Sequence, residues 1–247
     1  MQHWRWLVFL FTFSSLTHAE QIRVAVASNF APVAEQLSAR FELHSGHKVI
    51  LAFGSTGKHY AQIANGAPFD LFLAADSRRP ELLEKEGRAI KGGRASYAIG
   101  RLVLWSADSS LVDSNGEVLK QGNFERLAIA NPRLAPYGQA AQELLESLGV
   151  RESSQSKLVR GENISQTLQF VRSGNAQLGL ISLSQLKSLQ PKGSWWLPPS
   201  DSYTAIDQQM VQLTDKPEAT AFWVYIKSEE AQKIIAEYGY DLPEPTQ

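Results

Sequence analysis

The chain has 247 residues, 43% of them hydrophobic, which is enough for one large domain or two lobes. A formal charge of −1 leaves no basic footprint for nucleic acid. The absence of cysteine excludes disulfides, thiolate metal sites and a cysteine nucleophile.

Residues 1–19 read as a signal peptide. Arg5 gives a basic start, Leu7 to Phe13 forms an apolar run too short to span a bilayer, and Thr17-His18-Ala19 is a small-residue cleavage site before Glu20. No other long apolar run follows. The expectation is an exported protein retained in the periplasm, without insertion into a membrane.

The stretch Ile22–Ala27 predicts a first strand. Ser28-Asn29 comes next, as a cap for a helix that carries Phe30, Ala34, Leu37 and Phe41 on one face, has Pro32 in its first turn and ends at Gly46. Val49–Ala52 predicts a second strand, which runs into Gly54-Ser55-Thr56-Gly57. A short helix with Tyr60 and Ile63 leads to the apolar strand Asp70–Ala75, and Arg78–Glu86 predicts a third helix. This β-α-β-α-β-α rhythm implies a parallel sheet with helices on both faces.

A long strand, Tyr97–Trp105, contains Gly100 and is expected to cross into a second lobe. There the rhythm repeats. Strand Leu127–Ala130 is followed by the constrained loop Asn131–Gly138 and a helix with Ala141, Leu144, Leu145 and Leu148. Then come strand Lys157–Arg160, a helix capped by Asn163 with Gln166 three residues on, and strand Leu178–Leu183. Ser194–Ser200 reads as irregular. Gln208–Leu213 is expected to be a second crossing strand. Two closing helices, with Phe222 and Ile226 on one and Ile234 and Ile235 on the other, are expected to pack on the first lobe. The expected boundaries are residues 20–99 with 212–247 for lobe 1 and 100–211 for lobe 2.

Four helix starts share one design: Ser28-Asn29, Ser55-Thr56, Ala135-Pro136-Tyr137 and Asn163-Ile164. Each follows a strand and carries small or hydroxyl residues. In α/β sheets such starts gather at the carboxyl ends of the strands, where ligands bind. Each helix N-terminus carries about half a positive charge, so four would offset about two negative charges without any Lys or Arg. That favours a small, doubly charged oxyanion held by neutral donors. Taken singly, each piece is an ordinary cap or turn.

Other chemistries fit less well. Gly57-Lys58 lacks the remainder of a phosphate loop, with Ala52 and His59 at its defining positions. His44, His47 and His59 do not form a metal set, and Lys58 and His59 are expected on an exposed turn. No GxSxG occurs, and Asp70 and Asp76 read as turn and cap residues. A ferric site would need paired tyrosines, and only Tyr137 is placed for one. Trp195-Trp196 is expected to pack between lobes or under a loop. The expectation is a binding protein, not an enzyme, with no cofactor.

The segments VAVASNF, Gly54-Ser55-Thr56-Gly57, NGAPFDLFLAAD (Asn65–Asp76), ANPRLAPYG and AFWVYIKSEEAQKIIAEYGYDLP resemble the periplasmic molybdate-binding proteins, the substrate-binding components of molybdate ABC importers. The resemblance covers most of residues 20–247. It implies an α/β periplasmic-binding-protein fold, in which two lobes, each a mainly parallel sheet flanked by helices, are joined by two crossing strands and close over the anion. It implies molybdate as ligand, with tungstate beside it, a membrane permease and ATPase as partners, and a monomer. Ligand positions fall by this resemblance on Ser28 with Asn29, on Ser55 or Thr56, on Tyr137 through backbone and hydroxyl, and on the backbone of Ile164. Some members place a tyrosine after the strand LGLI. Ser182 stands there, so a water or Tyr137 substitutes for that contact, or it is absent. Binding of another tetrahedral oxyanion such as sulfate, or an oxyanion sensor module, are the alternative readings. Molybdate and sulfate both lack a proton at neutral pH, so only the size of a rigid ring of donors separates them.

Overall fold

The computed structural model describes residues 20–190 and 192–244; the expected signal peptide lies outside the described residues. The chain begins with β1 (Gln21–Ala27), a short 3-10 turn (Ser28–Phe30) and α1 (Ala31–Ser45). Then come β2 (Lys48–Gly54), α2 (Thr56–Ala64), β3 (Leu71–Leu73), α3 (Arg78–Lys85) and β4 (Arg94–Gly100). The second lobe holds β5 (Leu102–Ser106), α4 (Glu117–Gln121), β6 (Leu127–Ala130), α5 (Pro136–Ser147), α6 (Arg151–Ser154) and β7 (Leu158–Gly161). It continues with α7 (Ile164–Arg172), β8 (Leu178–Ser182), α8 (Leu183–Ser188) and β9 (Ser194–Trp196). The chain then returns through β10 (Ile206–Gln212) to α9 (Pro217–Ile226) and α10 (Glu229–Glu237).

Among the described residues two five-stranded sheets result, in the orders β2-β1-β3-β10-β4 and β7-β6-β8-β5-β9. They are built alike. Three strands from a β-α-β-α-β unit lie parallel, and the strand arriving from the other lobe, β10 or β5, is antiparallel to the third. The two remaining pairings, β10 with β4 and β5 with β9, are also antiparallel. In each sheet the crossing strand alone is reversed and the other four point the same way, the mainly parallel arrangement expected.

The long strand expected over residues 97–105 is two strands in different sheets, parted at Arg101. Gly100 closes the first, and a Cβ there would lie 2.3 Å from the Tyr137 hydroxyl and 2.8 Å from Gln208 Nε2, so only glycine admits both groups beside the crossing. The second crossing precedes β10, whose strand pairings all lie in the first sheet, while Ile206 at its start packs with the core of the second. Ser194–Trp196, read as irregular, is an edge strand on β5. Trp196 packs over Gly116 in the second lobe, whereas Trp195 is about half exposed.

Each lobe has its own apolar core. Val24, Val26, Phe30, Leu37 and Leu73 pack with Phe222, Ile226 and Ile234 of the two C-terminal helices in the first, and Leu104, Leu127, Ile129, Leu144 and Leu180 form the second. Helix ends follow the glycines: α1 stops at Gly46, held in the left-handed region at φ 74°. Among the described residues no helix is long and apolar enough to cross a membrane.

Candidate functional site

The four helix starts converge. Ala27, Ser28 and Asn29 after β1, Gly54, Ser55 and Thr56 after β2, Ala135, Pro136 and Tyr137 after β6, and Asn163 and Ile164 after β7 line one small cavity, with Ala75 from the end of β3. Its volume, measured as room for the centre of a water-sized group, is about 10 Å³. None of these twelve residues is Lys, Arg, Asp or Glu. The positive potential comes instead from helix starts: α2, α5 and α7 begin at the cavity, and the 3-10 turn at Ser28 runs directly into α1. The first N–H groups of a helix have no intrahelical acceptor, and Thr56, Tyr137 and Ile164 stand at first or second helical positions.

The hydroxyls differ in how far they are committed. Ser55 occupies the cap position of α2, yet its side chain makes no capping bond; Ser55 Oγ is buried with no hydrogen-bond partner among the described residues. A buried hydroxyl left unmatched costs about 1–3 kcal/mol, so this atom is poised for a ligand oxygen. Ser28 does not cap α1 either, because the cap position falls on Phe30. Thr56 Oγ1 accepts from the Ala75 N–H at 3.1 Å, tying the start of α2 to the end of β3. Asn163 caps α7, its side chain accepting from the Gln166 N–H at 3.0 Å. Both residues line the cavity: Ser55 Oγ has no partner, and Thr56 Oγ1, which accepts from Ala75, keeps its own proton.

The side chains of two expected ligands are engaged elsewhere. Ser182 is fully buried but does not line the cavity: it caps α8 in a reciprocal box with Gln185 and shares a 3.0 Å bond with Ser184. Asn29 reaches the cavity, but its amide is turned away, donating to Gln208 Oε1 at 2.8 Å and to the Tyr240 hydroxyl at 3.0 Å. What it can offer an anion is its backbone N–H.

Asn29 belongs to a buried polar network beneath the cavity that sequence reasoning missed. Gln208 donates to the Tyr137 hydroxyl at 3.4 Å, and Ser184 and Tyr240 both donate toward Asn29 O. Burial pushes the Tyr97, Tyr137 and Tyr240 phenols above their usual range, keeping them neutral. The signal was present in β10, where glutamines interrupt an apolar strand and Gln208 is 0% exposed. His59 was also misplaced. It is buried, not on an exposed turn, with Nε2 on Val26 O and Nδ1 on Gln62 Oε1, both at 3.2 Å. It packs under Gly54, and burial lowers its pKa. Lys58 is exposed as expected.

The profile of bacterial extracellular solute-binding proteins matches residues 22–241. The chain belongs to that family. It is 49% identical over 229 residues to the molybdate-binding protein ModA of Azotobacter vinelandii, covering 91% of each chain. It is 44% identical to the molybdate-binding protein ModA of Rhodobacter capsulatus, covering 90% of this chain and 88% of the relative. The solved periplasmic molybdate-binding protein of Azotobacter vinelandii superposes with a TM-score of 0.87 at 40% identity, over 90% of this chain and 100% of that one. The family is one of binding proteins, and the two mixed sheets are its two-lobed fold.

Proposed function

We propose that this protein binds molybdate, and tungstate with it, in the cavity between its lobes. The observation that carries the reading is an uncharged cavity at four helix starts with the buried Ser55 hydroxyl unmatched within it. Its likeness over nine-tenths of its length to proteins named for molybdate binding supports the choice of anion. In this reading Ser28 and Ser55 donate through their hydroxyls, and Asn29, Thr56, Tyr137 and Ile164 through backbone N–H groups. The Tyr137 hydroxyl, accepting from Gln208, keeps its own proton for an oxygen of the anion. Among the described residues no carboxylate lines the cavity to accept from a protonated anion, which disfavours hydrogen phosphate. The smaller sulfate cannot reach every donor of a ring fixed by two lobes.

The protein would work in the periplasm as a monomer, after removal of residues 1–19, handing the anion to the permease and ATPase of an ABC importer. Lobe 1 would comprise residues 20–100 and 206–247, and lobe 2 the stretch between. Melting of residues 20–247 with and without each anion tests the ligand. At a hundred times its dissociation constant a ligand adds about 2.7 kcal/mol. A rise with molybdate and tungstate but not with sulfate or phosphate is expected. A rise with sulfate alone would reject the substrate.

A further inference from the structure

Beside the bond from Ser165 Oγ to Ser28 O at 3.2 Å, two hydrogen bonds join the lobes at the rim of the cavity where α2 and α3 face the loop before α5. The Gly57 N–H, in the first turn of α2, donates to Leu134 O at 2.8 Å. Leu134 lies just before the start of α5, so the bond links helix starts that face the cavity from opposite lobes. A Cβ at residue 57 would stand 3.0 Å from Leu134 O and 3.1 Å from both Leu134 Cα and Arg79 Nη2. A side chain there would push the facing main chain back by a few tenths of an ångström.

The second bond comes from Arg79 on α3, whose Nη2 donates to Arg133 O at 3.1 Å. Asp76 holds the arginine in place: Oδ1 accepts from the Arg79 N–H at 2.9 Å, and Oδ2 pairs with Nη1. The two side chains are only 16% and 20% exposed. A planar guanidinium serves both partners at once, which a single ammonium group cannot do in the same geometry. Arg78 and Arg133 line the adjoining groove but are exposed.

We propose that Gly57 and Arg79, bonded across the cleft to Leu134 O and Arg133 O, form a latch that sets how fast a bound anion leaves the cavity. The proposal rests on the reading of that cavity as the oxyanion site. Parting the two helix starts breaks both bonds, so the latch acts on dissociation and leaves encounter with the open cleft untouched. The contrary account is that Arg79 draws the anion in by charge, which would act on association and fade with salt.

Stopped-flow kinetics on residues 20–247 separate the two, using whichever of molybdate, tungstate or sulfate raises the melting temperature of the unmodified chain. Release is followed by chasing the bound anion with an excess of competing oxyanion. Arg79→Ala is expected to speed dissociation about tenfold, the loss of one charge-assisted hydrogen bond, with association unchanged. Arg79→Lys is expected to behave like Arg79→Ala, and Gly57→Ala to speed release as well. Unaltered dissociation in both Arg79 variants overturns the latch, as does slowed association in Arg79→Ala that Arg79→Lys restores. Absence of any oxyanion binding by the unmodified chain would reject the binding reading itself, an outcome distinct from binding with normal release.

Discussion

Ser55 and Ser182 occupy the same local position, a serine at the cap of a helix directly after a strand, yet they do different things. Ser182 is followed at the third helical position by Gln185, and the two close a capping box. Ser55 makes no such bond with the N–H of Lys58 at that position, and its hydroxyl stays unmatched in the cavity. A cap that is chemically satisfied stabilises its own helix and has nothing left for a ligand. An unsatisfied one gives up that local stability and keeps a donor for the anion. A side-chain oxygen three positions on does not decide it, since Ser228 caps α10 by accepting from the N–H of Ala231, and the expectation for position 182 came from the resemblance to family members with a tyrosine there.

The largest effect should come from removing the free hydroxyl. Ser55→Ala is expected to weaken molybdate binding about 10–100-fold, one hydrogen bond to a charged group, while the melting temperature of the ligand-free protein holds. Isothermal calorimetry checks it, and a variant that binds as tightly as the parent would break the comparison. Ser182→Ala should do the reverse, lowering unfolding stability by about 1 kcal/mol in a denaturant titration and leaving the dissociation constant unmoved.

His59 sharpens the contrast between the loop that holds Ser55 and its surroundings. Its lowered pKa means that below the unfolded value of 6.5 the unfolded chain binds a proton that the folded chain resists. Stability should therefore fall as pH drops through 6.5 toward 5, and His59→Gln should flatten that fall; identical slopes would remove His59 from the account. The smallest effect is expected at Lys58, where Lys58→Ala should change affinity less than about twofold, because exposed charges are screened and α2 presents its backbone to the cavity. A larger loss would mean that a cation, not dipoles, balances the anion.

Much of the architecture was legible because apolar runs and terminal glycines mark the elements in both lobes. The β10 boundary was not. Asp207, Gln208 and Gln209 hide the start of the strand, and a register shift between Gln208 and Gln209 breaks its alternation. Gln208 is polar because it serves the network under the cavity, so function erased the pattern that would have located the strand. His59 was recoverable: with Thr56 and Ile63 it forms the buried i, i+3, i+7 stripe of α2. The amide orientation of Asn29 was not recoverable, since its partners Gln208 and Tyr240 lie 179 and 211 residues away.

The central claim is that neutral donors at converging helix starts hold a dianion. It is tested most directly by a crystal grown with tungstate and measured at the tungsten absorption edge. The account predicts one anomalous peak inside the cavity, within hydrogen-bonding distance of Ser55 Oγ and the Ile164 N–H. A peak in the arginine-lined groove beside Arg79 and Arg133, with the cavity empty, would contradict it.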